Sequence, residues 1–493
     1  MPVRNVLRMR AVPGLPWLIL GAALAGTAAA APPGGELLAG WASTDITPDQ
    51  PVALAGQMHT RVSKSVHDPV TATVLALESR GASPAQAVMV SCDLVSIPAV
   101  LEEALRERVR GQLPDFDARK LLLNATHTHT APVTVDGQYE IPPGVMQPAA
   151  YRAFLVDRLA AAVSEAWRGR KLAGASWGLG QAVVGHNRRA IYADGSARMY
   201  GKTGGADFRS LEGYEDHAVQ MLFLWDPRDK LTGVAINVAC PSQVLESQLY
   251  ISADFWHEVR KLIRQRHPEN PFVYPMTGAS GDQSPHLLFR RAAEEKLRER
   301  LGLTETEELA RRIADAVDYV LPAARKSVRR ALPFAHVVED LRLPVRKVTA
   351  AEAATARADY ERLAQEPATD RSRYVFMNRA REVAARYDRQ EREPYYGMTL
   401  HAIRLGDIAI ATNPFELYLD YGIQMQARSP AEQTFVVQLV GGGTYLPTAK
   451  AVAGGHYGAE VASNRVGPEG GQVLVERTVA AISSLWNNEA KSQ

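Results

Sequence analysis

The chain has 493 residues, 46% of them hydrophobic and 22% charged, with 56 Lys and Arg against 54 Asp and Glu, a formal net charge of +2. That composition excludes disordered and fibrous classes, and the balanced charge gives no electrostatic reason to expect nucleic acid. Only Cys92 and Cys240 are present, so this is no disulfide-built scaffold; two buried thiols are the simple reading, although an oxidising compartment would permit one bridge.

Residues 1–30 carry Arg4, Arg8 and Arg10, then an apolar run from Val12 to Ala25, then small residues ending Ala28-Ala-Ala30. This is the layout of a secretory signal peptide cleaved after Ala30. Removing its three arginines takes the basic count from 56 to 53 against 54 acidic residues, a net charge of −1. No later run approaches the ~20 apolar residues needed to span a bilayer. An exported mature protein, periplasmic or secreted and without a transmembrane anchor, is therefore expected.

Along the mature chain, Gly40–Pro48 and Val66–Pro69 read as turn-rich connectors. Ala87–Asp93 reads as a buried strand. Pro98–Leu113 reads as a helix with Leu101, Leu105 and Val109 on one stripe, and Lys120–Ala125 as the next strand. The β-α-β order predicts parallel pairing, with Asp93, His127 and His129 at the carboxyl ends where ligands of open sheets bind. On an extended segment the i, i+2 spacing of His127 and His129 would project both imidazoles to one side, half of a site for Zn²⁺ or a similar cation. Backbone hydrogen bonding at a strand end is the alternative use of such a pair.

Further on, His217–Leu224 and Leu231–Ala239 flank Asp226-Pro-Arg-Asp-Lys230 as a hairpin opening into Cys240-Pro-Ser-Gln243. Pro271–Tyr274 leads into the glycine-bearing turn Thr277–His286. Residues 289–325 and 349–390 are charge-rich and read as surface helices without functional content. Met398–Leu405 and Ile408–Ala411 form another hairpin, ending in Asn413-Pro-Phe-Glu416, and Phe435–Val440 ends in Gly441-Gly-Gly-Thr-Tyr445. Five β runs thus end in chemically capable groups: His127 with His129, Cys240, Ser284, Glu416 and Tyr445. That recurrence predicts one crevice built from strand-terminal loops.

Thr126-His-Thr-His-Thr130, Gly281-Asp-Gln-Ser-Pro285, Asn413-Pro-Phe-Glu416 and Thr444-Tyr-Leu-Pro447, in this order, resemble the catalytic domain of the neutral/alkaline ceramidases over roughly residues 38–485. The resemblance implies an α/β (α+β) fold of mixed sheets flanked by helices, one catalytic domain over residues 31–493 and no C-terminal accessory domain. It implies a zinc-dependent amide hydrolase acting on a lipid or other small molecule. His127, Glu416 and Tyr445 would be zinc ligands and Ser284 the candidate nucleophile, or else a group that orients the water or substrate; His129 beside the site, or another nearby base, would move protons, and Arg188 and Tyr457 would contact substrate. One departure is plain: where the family has a second zinc histidine, this chain reads Ala239-Cys240-Pro241-Ser242-Gln243. Cys240 as replacement ligand, His257 swinging in, and a weakly held or absent metal are all open. So are an ester, lactone or sugar-linked acyl substrate and a non-catalytic binding role.

No G-x-S-x-G elbow, H-E-x-x-H helix, phosphate loop or G-x-G-x-x-G is present, which removes support for α/β-hydrolase, zincin and nucleotide readings.

Overall fold

A computed structural model describes residues 35–81, 84–367 and 370–490; the segment expected to be a signal peptide, residues 1–30, lies outside them. One plan is used three times. In the first sheet, β1 (Gly35–Asp45), β2 (Thr71–Arg80) and β3 (Ala85–Cys92) are antiparallel neighbours. The chain then crosses through helix α1 (Ala99–Gln112) to β4 (Leu121–Ala125), which pairs parallel with β3. Helix α2 (Pro148–Arg168) packs on β1 and β2.

The second sheet repeats the plan. β5 (Gly174–Gln181), β6 (Ala218–Trp225) and β7 (Leu231–Val238) are antiparallel, and α3 (Phe255–Arg266) returns the chain to β8 (Phe272–Thr277), parallel to β7. Helices α4 (Arg291–Leu301) and α5 (Glu305–Lys326) follow. The third sheet starts at β9 (Phe334–Pro344); after α6 (Ala350–Gln365) and α7 (Arg373–Arg389) come the antiparallel β10 (Tyr395–Leu405) and β11 (Ile408–Thr412). Helix α8 (Leu419–Arg428) then leads to β12 (Gln433–Val437), parallel to β11, and α9 (Pro468–Ala490) covers this sheet.

The three sheets share one apolar core. Leu75 and Leu122 of the first, Leu222 and Tyr274 of the second, and Ile403, Ile410 and Phe435 of the third belong to a single buried cluster. Strands buried on both faces read as continuous apolar runs, which is why β3, β4 and β8 were legible as strands. Polar side chains bolt the units together at the parallel strands. Asn124 of β4 donates to the Pro275 carbonyl at 3.1 Å and accepts from the Tyr274 hydroxyl at 2.7 Å. The tips of β4, β8 and β12 close a ring: the Thr277 hydroxyl donates to Ala125 O, Gln438 N to Thr277 O, and Ala125 N to Leu439 O. Three strand ends are therefore held side by side.

The fold class is the predicted one, with local corrections. Gly40–Pro48 is no connector: Gly35–Asp45 is an 11-residue strand. Its small residues hide the pattern because α2 lies directly against it, and a Cβ at Gly40 would collide with the Ala166 carbonyl. Residues 289–325 are not all surface, because Leu309, Ile313 and Val317 of α5 enter the core cluster beneath the second sheet. Cys92 and Cys240 are both free and buried.

Candidate active site

The chain leaves β4 at Ala125, and His127 takes a left-handed backbone, φ 64°. Strand alternation is therefore not what brings His127 and His129 together, although their rings do lie 4.8 Å apart, edge to face. His127 Nδ1 lies 2.7 Å from the Val95 carbonyl, which can only accept, so Nδ1 carries a proton and Nε2 is the nitrogen that would offer a lone pair in the neutral ring. That nitrogen faces Glu416 Oε2 at 3.4 Å. Glu416 and Tyr445 are directly paired across a short parallel ladder.

Arg188 closes the group. Its guanidinium is buried and donates through one terminal nitrogen to Gly281 O at 2.9 Å and the Tyr445 hydroxyl at 3.3 Å, lying 4.0 Å from Glu416. The other terminal nitrogen donates to the Tyr200 hydroxyl at 2.7 Å and Gln243 Oε1 at 3.2 Å. Burial works against charge on Glu416, but His127 and Arg188 outweigh it and hold the carboxyl below its usual range. Burial, with Glu416 beside it, pushes the Tyr445 phenol well up. Tyr457 stands 5.4 Å from Tyr445 ring to ring, and burial lifts its hydroxyl to about 12.

Ser284 lies on a two-residue ladder opposite His186. Its Oγ accepts from the Tyr200 hydroxyl at 3.3 Å and from the His286 backbone at 3.1 Å. It is fully buried, and it is absent from the described residues lining the cleft. That cleft, about 540 Å³, is lined by His127, His129, Glu416, Tyr445 and Tyr457, by apolar residues such as Met58, Val95 and Tyr139, and by Val375, Asn378, Arg379, Glu382 and Val383 of α7. Helix α7 is thus a wall of the cleft, against the expectation that residues 349–390 carry no functional content.

Other expected residues sit elsewhere. Cys240 packs in the apolar cluster of the second sheet with Val184 and Val238, and its Sγ donates to Val184 O and Pro241 O. Burial raises its thiol pKa well above the usual value, so it stays protonated. The Cys240 thiol is directed at the Val184 and Pro241 carbonyls, and Cys240 is absent from the described residues lining the cleft. His257 lies on α3, 3.8 Å from Asp68 and a third exposed. Asp93 is clamped by both terminal nitrogens of Arg260 and holds α3 against the first sheet. Among the described residues, no three His, Cys, Asp or Glu side chains converge as a metal group.

The sequence reading missed four neighbours: Arg61, Tyr200, Gln243 and Glu246. Arg61 is buried and donates to the carbonyls of Ala55, His129, Glu246 and Gln248, tying three loops under the cleft. Glu246 lies 3.4 Å from His129 Nδ1 and 3.2 Å from His286 Nε2. The only sequence signal was the nearness of Gln243 and Glu246 to Cys240.

No protein-family model matches the chain, and no curated protein sequence does either. Solved structures do match. Neutral ceramidase from Pseudomonas aeruginosa superposes with a TM-score of 0.66 at 16% identity, covering 91% of this chain and 75% of that one. The fold is that of the neutral ceramidases. A ceramidase complexed with C2 gives a TM-score of 0.65 at 15% identity, over 92% of this chain and 76% of that one. In this ceramidase fold, the three parallel strand pairs bring His127, Ser284, Glu416 and Tyr445 to one end of the molecule.

Proposed function

We propose that the protein is an exported hydrolase that cleaves an amide bond in an N-acyl, ceramide-like compound. The observation that carries the reading is the convergence of His127 Nε2, Glu416 and Tyr445 in the cleft, with Arg188 against them. No described helix is long and apolar enough to cross a membrane.

The donors suit one cation. A lone-pair nitrogen and a carboxylate oxygen 3.4 Å apart, beside a phenol oxygen, have the chemistry of a three-ligand zinc site that leaves a position for water. His127, Glu416 and Tyr445 would hold that ion; when bound it supplies carbonyl polarisation and a water with a pKa of about 7. Val95 fixes the ring that presents Nε2, as a carbonyl partner does for ligating histidines. Arg188, buried against Tyr445 and 4.0 Å from Glu416, would add fixed positive charge behind these donors, the kind of preorganised charge that favours acyl transfer. Tyr457 backs Tyr445, and Arg379 and Asn378 of α7 offer polar contacts for the substrate. His129 is a poor proton carrier as it stands: burial lowers its pKa to about 4, and Gln243 occupies Nε2. Ser284 is nucleophile only if Tyr200 yields its place.

The burial of Ser284 favours a second reading, a binding protein that keeps the cleft without turnover. The test is a screen of N-acyl amides and esters with wild type, His127→Ala and Ser284→Ala, with metal content measured alongside. Turnover by wild type with near-stoichiometric zinc, lost about 100-fold or more in His127→Ala, is expected. Hydrolysis surviving both substitutions sinks the mechanism, and ligand binding without turnover selects the binding protein.

A further inference from the structure

Glu246 ends a chain of polar contacts: two hydrogen bonds of fixed direction, Arg188 to Gln243 and Gln243 to His129, and then two close approaches of its carboxylate to imidazole nitrogens. Arg188 only donates, so Gln243 must turn Oε1 toward it, at 3.2 Å. The Gln243 amide nitrogen then faces His129 Nε2 at 2.8 Å, which makes Nε2 the acceptor and leaves the ring proton on Nδ1. Nδ1 in turn points at Glu246 Oε2, 3.4 Å away. The second carboxylate oxygen, Oε1, faces His286 Nε2 at 3.2 Å. Each oxygen of Glu246 thus lies against an imidazole nitrogen, one from the loop after β4 and one from the turn that carries Ser284. Glu246 is also held from behind, because its own carbonyl accepts from Arg61 at 2.7 Å.

We propose that Glu246 is a positioning residue for the hydrolase site: together with Gln243 it holds the Nδ1–H tautomer of His129 and, through Gln243, keeps Arg188 in the orientation that reaches Tyr445 and Gly281. The functional half rests on the hydrolase reading; the tautomer half does not. A carboxylate can accept from both imidazoles at once. An alanine accepts from neither, so His129 is free to take the other tautomer, Nε2–H. That proton would meet the Gln243 amide donor, and a rotated Gln243 would present its amide nitrogen to the guanidinium. Either way the mismatch reaches Arg188. A glutamine at 246 still satisfies His129 through its carbonyl oxygen while donating to a neutral His286, so positioning survives without the charge.

The experiment uses the full-length protein with ¹⁵N-labelled histidine. Wild type should show one His129 tautomer with Nδ1 protonated, E246A a mixture or the opposite tautomer, and E246Q the wild-type pattern at pH above ~7, where an ordinary histidine is neutral. Turnover should fall about 10- to 100-fold in E246A, chiefly in kcat, and E246Q should recover most of it at that pH. An unchanged tautomer in E246A overturns the proposal, as does E246Q falling as far as E246A, which would make charge rather than polarity the operative property. If wild type turns over no substrate, the hydrolase reading fails while the tautomer measurement still decides the role of Glu246.

Discussion

His127 and His129 are two residues apart, yet each is committed to a different task by a partner remote in sequence: the Val95 carbonyl frees Nε2 of one, and Gln243 occupies Nε2 of the other. The same rule governs a pair far from the cleft. His336 Nδ1 bonds the Gln86 carbonyl at 2.9 Å, and His336 Nε2 lies 3.0 Å from His401 Nδ1. Burial lowers His336 to about 4 and His401 well below its ordinary value. Both bind fewer protons folded than unfolded, so their contribution to stability is intact above the unfolded pKa of about 6.5 and is lost as pH falls toward 4. His336→Gln should flatten that loss, by up to about 3 kcal/mol between these limits. Urea midpoints measured from pH 7 to 4 check it; parallel curves for variant and wild type would count against the assignment.

Helices α5 and α6 each begin with a capping box, Thr304 with Glu307 and Thr349 with Glu352. Each threonine accepts from the backbone of the glutamate, whose carboxylate returns the bond. Thr304→Ala and Thr349→Ala should each cost about 1 kcal/mol, read from denaturant midpoints, with kcat unchanged because neither helix start touches the cleft. Helix α7 has a double role that its charge pattern conceals. Val383 packs against α6 in a small satellite core and also lines the cleft, and Arg379 reaches Glu460 and Ser463 from the same face. Its periodicity marks α7 as a surface helix; which surface it covers is set by the loops opposite.

At the scale of the whole molecule, the site exists because three β-α-β crossings deliver parallel strand ends to one ring. Asn124 is the joint between the first two sheets, bonded to Pro275, Tyr274 and Ser91. Asn124→Ala would leave the buried Tyr274 phenol without its acceptor and the Pro275 carbonyl with the Ser91 hydroxyl as its side-chain donor, at a cost of about 2 kcal/mol. Because β4 carries His127, turnover should fall by more than the folded fraction alone explains; activity tracking the folded fraction would show that the sheets dock without this joint.

The sequence by itself determined the elements with strong patterns and the motifs at their ends. Apolar runs such as Leu121–Ala125 and Phe435–Val437 can only be buried strands, and His127, Glu416 and Tyr445 stand beyond such runs. Weaker patterns did not speak: Gly40 and its small neighbours look like a turn because α2, not their own side chains, fills the space above them. Only the tertiary structure decided that Cys240 turns inward, that Tyr200 sits on Ser284, and that Gln243 and Glu246 stand beside Arg188 and His129. The reason is physical: period and composition fix which face of a segment is apolar, whereas the partner of a buried polar atom is fixed by which other chain ends arrive within about 3 Å of it.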